Sequence, residues 1–173
     1  MNTKKIIGSI FGLIALFILC ILFFLLHYSS SIKEKVIIIG NKWVMLCLFI
    51  SLIQIILGTQ VRESVDALLH IYDRDVIINK LPNVFEMHRT MAWIIILSNC
   101  TLFWFYRNLF AVYIEFRLII ITLLGLLISG VIMSYDSLIG FAQLCHLLCA
   151  ISLFMCQYSL LLKSCSLPNV QIP

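Results

Sequence analysis

The chain has 173 residues, of which 62% are hydrophobic and 12% charged, with a formal net charge of +4. A soluble domain carries about 25% charged residues, and mean hydropathy here is +1.10, so an integral membrane protein is expected rather than a soluble fold. The basic residues stand singly between apolar runs, which argues against the clustered basic face of a nucleic-acid binder.

Five apolar spans are predicted, giving an all-α fold: an integral membrane helical bundle. The first, Ile6 to Leu26, follows Met-Asn-Thr-Lys-Lys and is longer than the apolar core of a signal peptide. It has no clear small-x-small cleavage site, so it reads as a retained helix. The second starts between Val36 and Trp43 and ends at Gly58. A long polar loop, Arg62 to Asn83, comes next. Within it Val65, Leu68, Leu69 and Tyr72 recur at helical spacing and predict a short interfacial helix. The third span opens behind Pro82, with Asn83 as N-cap and Glu86 in capping-box position, and runs to Phe105. Leu118 to Met133 is the fourth span. A tight turn at Tyr135-Asp136-Ser137 leads to the fifth, Leu138 to Leu162, and a polar tail with Pro168 follows. The domain division is therefore residues 1–35, an N-terminal membrane helix; 36–163, a four-helix membrane bundle; and 164–173, the tail. The seven cysteines lie in or at the end of spans and form no CxxC pair, which favours apolar packing over disulfides or zinc.

Ionisable groups inside a membrane span are costly and point to function. Two histidines meet that description. His88 lies about 7 Å into the third span and His146 about 13 Å into the fifth, both counted from the same side of the membrane. Imidazoles held across a narrow gap in a bundle can ligate the two faces of one heme iron, so His88 and His146 are the candidate metal ligands. Ala92, Ala142 and Ala150 lie one turn from them and leave room for a flat group, as could Gly58, Gly125 and Gly130. Arg62 and Arg89 lie at the same end and are candidates for pairing with heme propionates. The alternative for each histidine is a plain hydrogen bond to a neighbouring helix. His27 and His70 are assigned no ligand role. Gln54, Asn99, Gln143 and Gln157 are expected to make interhelical hydrogen bonds, and Glu86 is read as a cap.

Three ordered stretches carry a family resemblance. Leu57-Gly58-Thr59-Gln60-Val61-Arg62-Glu63 resembles the Gly-x-x-Val-Arg motif of heme A synthase. Glu86-Met87-His88-Arg89 resembles that family's His-Arg motif. Ser129-Gly130-Val131-Ile132-Met133, continuing through Gly140-Phe141-Ala142 to His146, resembles its final helix pair. The similarity covers Trp43 to Lys163 and is to the C-terminal four-helix half of an eight-helix family that oxidises heme O to heme A for terminal oxidase assembly. It implies that His88 and His146 ligate a heme, heme b by analogy. It also implies a multi-pass protein of the cell (inner) membrane with residues 62–86 extracytoplasmic, a side that Lys and Arg leave undecided at six against six. Lipid and heme are the expected partners, together with a second copy or a separate N-terminal half. The chain departs from the family pattern in three respects. The first span holds no histidine, the outer-loop cysteine pair is absent, and Glu86 precedes His88 by two residues rather than three. No catalytic residue is therefore assigned. The rival readings are a bis-histidine membrane cytochrome b and a heme-binding half without activity of its own.

Overall fold

The computed structural model describes residues 14–26, 41–109, 113–135 and 140–165, all of them helices and their short connections. The helices are α1 (Ile14–Leu26), α2 (Asn41–Leu68), α3 (Arg74–Ile77), α4 (Asn83–Tyr106), α5 (Ile114–Tyr135) and α6 (Gly140–Cys165). Single 3-10 turns, Ile78–Lys80 and Arg107–Leu109, follow α3 and α4. The start of the first predicted span, the turn at residues 136–139 and the polar tail lie outside the described residues, as does His27.

Three described helices are long and apolar enough to cross a membrane: α2, α5 and α6. They mark the chain as a membrane protein. The fourth candidate, α4, has 24 residues but is not among them. It carries Glu86, His88, Arg89 and Asn99, polar groups that dilute its apolar character.

Several boundaries differ from the sequence expectation. The second span does not stop at Gly58, because α2 continues to Leu68. No proline interrupts residues 59–68, and Val61, Val65 and Leu68 keep the helical repeat going. The residues expected to form a separate interfacial helix are thus mostly the last turns of α2, closed by Tyr72 N–H donating to the Leu68 carbonyl at 2.9 Å. At the start of α4 the cap is Pro82 in extended conformation, with no side-chain cap bond, and Asn83 is already helical. The Phe85 N–H donates to the Pro82 carbonyl at 2.9 Å, while Glu86 turns to Arg89 at 2.9 Å. The predicted capping box is therefore not formed. Its glutamate has a better partner in a guanidinium one turn ahead. The fourth span begins at Ile114 rather than Leu118, because Glu115 is buried and paired instead of exposed in a loop.

α5 packs along α6, and α2 packs along both α4 and α6. α4 meets α5 through Phe103 and Tyr106, whose ring centroids lie 5.9 and 6.4 Å from that of Phe116. α1 touches α6 where Phe23 and Tyr158 approach to 6.3 Å. The main core collects Val44 and Cys47 of α2, Ile95 and Leu102 of α4, Phe116 and Ile119 of α5, and Leu153 and Leu160 of α6.

α4 and α6 share one register. His88 faces His146, and eleven residues on, Gln157 Nε2 donates to Asn99 Oδ1 at 3.1 Å. Because both helices advance by the same number of residues between the two contacts, they run parallel. The intervening pairs Ala92 with Ala150 and Ile95 with Leu153, and the following pair Leu102 with Leu160, keep the same offset. This alternation of threes and fours turns one face of each helix towards the bundle interior, where α2 packs along both.

At the far end of the bundle, Lys163 of α6 reaches Glu115 of α5 at 2.8 Å, with side-chain exposures of 19% and 9%. Ser159 donates to the same carboxylate oxygen at 2.9 Å. Removing one partner of a buried pair strands the other, whereas removing both does not. Lys163→Met is therefore expected to cost about 3 kcal/mol, and Glu115→Leu combined with Lys163→Met to recover most of it. Unfolding of the purified protein in detergent would measure this, and equal losses in the single and double variants would contradict it.

Candidate functional site

Each histidine is seated against a glycine on the neighbouring helix. A Cβ at Gly58 of α2 would lie 3.2 Å from Cε1 and 3.8 Å from Nδ1 of His88. A Cβ at Gly130 of α5 would lie 3.6 and 3.9 Å from the same two atoms of His146. At Gly58 a Cβ would crowd the ring, so glycine is needed for that approach, whereas at Gly130 a methyl would sit at ordinary contact distance. Both rings are thereby directed across the bundle towards each other. Their centroids are 6.3 Å apart and their planes inclined at 59°.

The two rings are held differently. Ser129 Oγ lies 2.9 Å from His146 Nδ1 and also 2.6 Å from the Gly125 carbonyl oxygen. The serine has a single proton, and the carbonyl can only accept, so the hydroxyl donates to Gly125 and accepts from Nδ1–H. His146 is thus fixed as the tautomer with a free lone pair on Nε2, the arrangement in which one ring nitrogen is anchored so that the other can bind. His88 Nδ1 is buried with no hydrogen-bond partner. The position of that helix is instead fixed through its backbone, where Gln54 Nε2 donates to the His88 carbonyl at 2.9 Å.

Beyond the histidines, the connection between α2 and α4 closes the end of the bundle. Ile77, with no exposed surface, packs with Val65 against Val61, Leu68, Leu69, Leu81 and Met133. Val61 and Met133 lie three residues past Gly58 and Gly130, so this apolar cap sits about one helical turn above the imidazoles.

The other residues singled out from the sequence are more peripheral. Arg62 and Arg89 are at the same end as the histidines but on exposed faces. Arg62 lies 3.9 Å from Asp66 and Arg89 2.9 Å from Glu86. Gly125 faces Cys149 rather than a histidine, its notional Cβ falling 2.6 Å from the sulfur. His70 is exposed in the turn after α2. Ser129 and Ile77 were not anticipated. The Ser129-Gly130 pair inside an otherwise apolar helix was the available signal for the first, whereas nothing in a short polar connection marked Ile77 as a buried plug.

Among the described residues, no group of three or more His, Cys, Asp or Glu side chains could hold a metal ion. Two facing imidazoles suffice only for a metal that brings its own equatorial donors. With metal–nitrogen bonds of about 2 Å, coaxial imidazoles on one metal have ring centroids roughly 6 Å apart, which is the separation found here. Rings on a common axis can take any mutual rotation, so the 59° inclination fits as well. No family model, no curated protein and no solved structure matches this chain.

The glycine contacts are unequal, and that inequality can be tested. Gly58→Ala is expected to push the His88 ring aside and cost about 1 kcal/mol. Gly130→Ala meets only ordinary van der Waals distance and is expected to be neutral or slightly stabilising, since alanine favours helix. Histidine ring resonances and unfolding midpoints of the two variants would check this, and equal perturbation by both would contradict it.

Proposed function

We propose that the chain is a heme-binding membrane protein similar to the C-terminal half of heme A synthase, with His88 and His146 as the axial ligands of one heme, most simply heme b. The observation that carries the reading is the glycine-backed imidazole pair, 6.3 Å between centroids, on two parallel helices. Support also comes from the Ser129 anchor, which leaves Nε2 of His146 as the donor. A heme bound there supplies a redox-active iron. His88 and His146 would hold it, and Ile77 with its apolar neighbours would lie over its near end. Arg62 and Arg89 are assigned to the propionates. Each would trade a carboxylate of its own helix, Asp66 or Glu86, for one on the ligand.

In this reading the bundle is the four-helix half plus one N-terminal helix, placed in the cell (inner) membrane with residues 62–86 outside. Oxidation of heme O to heme A requires a cofactor heme and a substrate heme, and the described helices offer a single histidine pair. A second copy of the chain or a separate N-terminal half would have to supply the other site. The same single pair favours one rival, a small bis-histidine cytochrome b engaged in electron transfer.

Purified protein is expected to carry one heme with a low-spin reduced spectrum, and His88→Ala or His146→Ala to lose most of it. Retention unchanged in both variants would remove the axial assignment. For topology, Asp73→Cys in a cysteine-free background should react with an impermeant thiol reagent on intact cells, and labelling only after lysis would invert the orientation. Co-expression with a heme O source is expected to give no heme A from a monomer. Heme A made by a mass-verified monomer would mean that one histidine pair is enough.

A further inference from the structure

The buried polar side-chain atoms that lack a hydrogen-bond partner are not scattered. Among the described residues they are Ser51 Oγ, Gln54 Oε1, His88 Nδ1, Glu115 Oε2 and Gln157 Oε1. Ser51, Glu115 and Gln157 are each more than nine-tenths buried. Their order along the bundle follows from contacts already described. Gln54 lies level with His88, whose carbonyl it holds. Ser51 is three residues deeper on α2, about 5 Å. Cys47 donates to the Ser98 carbonyl at 3.5 Å, which puts the next turn of α2 beside the Asn99–Gln157 pair. Gln157 is six residues, about 9 Å, short of Lys163, and Ser159 on the way to it donates to Glu115. In axial order the five atoms therefore run from the ion pair at the far end to the histidines.

We propose that these groups line a file of ordered water that enters from the Glu115–Lys163 end and reaches the histidine pair. The histidines are then hydrated from the far side of the bundle and sealed from the near side by Ile77. The axial rises that can be counted, about 5 Å from Ser51 to Gln54 and about 9 Å from Gln157 to Lys163, are spans for one or two waters, since a water bridges partners about 5–6 Å apart with two ordinary hydrogen bonds. The donor and acceptor types suit it. An amide oxygen, a hydroxyl, an imidazole nitrogen and a carboxylate oxygen all bind water, and buried polar atoms without protein partners are where internal water is found. Polar routes through membrane bundles are built in this way, with isolated polar side chains at successive turns of different helices. The charged end is equipped to meet bulk water, because Lys163 is partly exposed while Glu115 is not. Tyr113 lies under the lysine, 5.4 Å from ring centroid to ammonium. At the near end, among the described residues, Ile77 and Val65 present apolar surface packed against Val61, Leu68, Leu69, Leu81 and Met133. The inference concerns hydration and does not depend on what the histidines bind.

The test is side-chain amide hydrogen exchange, followed by NMR on the full chain in lipid nanodiscs with nitrogen-labelled glutamine. Gln60, exposed on α2, is the internal reference. With the file hydrated, the amides of Gln54 and Gln157 exchange within roughly a hundredfold of Gln60. Slower exchange than that at both means the file is dry and overturns the proposal. Ser51→Val, which removes the hydroxyl and fills its space, should slow Gln54 at least about tenfold and leave Gln157 unchanged. Ser51→Ala, which leaves room for water, should behave as wild type. Gln54 unaffected by Ser51→Val would mean that water arrives past Ile77, and would overturn the direction of access. The wild-type comparison decides hydration even if Ser51→Val fails to fold. No bound cofactor is needed for any of these readings, so a failed heme assignment and a dry file remain separate outcomes.

Discussion

The amide pair of Asn99 and Gln157 sets the register on which the site depends. Both side chains are fully buried, and breaking their hydrogen bond would leave two buried amides without the partner each has across the bundle. The cost of separating them fixes how far α4 and α6 can slide, as a single polar residue does in the seam of a coiled coil. With that pairing made, the equal spacing of eleven residues on each helix delivers His88 and His146 to the same level. Asn99 also donates to the Ile95 carbonyl at 2.9 Å, so its oxygen is oriented before Gln157 arrives. The apolar pairs on either side supply area but little positional selectivity, because leucine and isoleucine pack acceptably at several offsets.

The two halves of the bundle solve one steric problem in the same way. In each, a glycine on one helix faces the imidazole of its neighbour, tightly at Gly58 and at ordinary contact distance at Gly130. The electrostatic problem is handled unequally. His146 has its tautomer fixed by Ser129, whereas His88 has a buried ring nitrogen without a protein partner. Two ligands of the same residue type therefore differ in stiffness. One is held by a hydroxyl wired into its own hairpin, and the other by packing and by a bond to its backbone.

Much of this was legible in the sequence. Membrane character followed from hydropathy, the all-helical fold from apolar runs, and the histidines from their position inside such runs. Gln54, Asn99 and Gln157 were expected to bond between helices and do so. The failures share a cause. Helix ends were placed wherever polar residues began, but polar residues continue a helix when they find partners. Glu115 is buried because Lys163, 48 residues later, reaches it. Arg62 and Asp66 decorate the last turns of α2 rather than a loop. Glu86 left its expected cap for Arg89. Long-range pairing of this kind cannot be read from local composition. The burial of Ile77 depends likewise on Met133, which lies on another helix.

The length of α2 carries a consequence of its own. Its 28 residues extend about 42 Å at the usual rise, whereas the hydrocarbon of a bilayer is about 30 Å thick. The helix must tilt or stand clear by several ångströms, and the polar residues of its last third decide where the surplus goes. Asp66, Arg62 and Glu63 belong among headgroups, and Val65 is carried out with them. The apolar cap is thus assembled at the level where acyl chains give way to water. It must exclude solvent there by its own packing, without help from lipid.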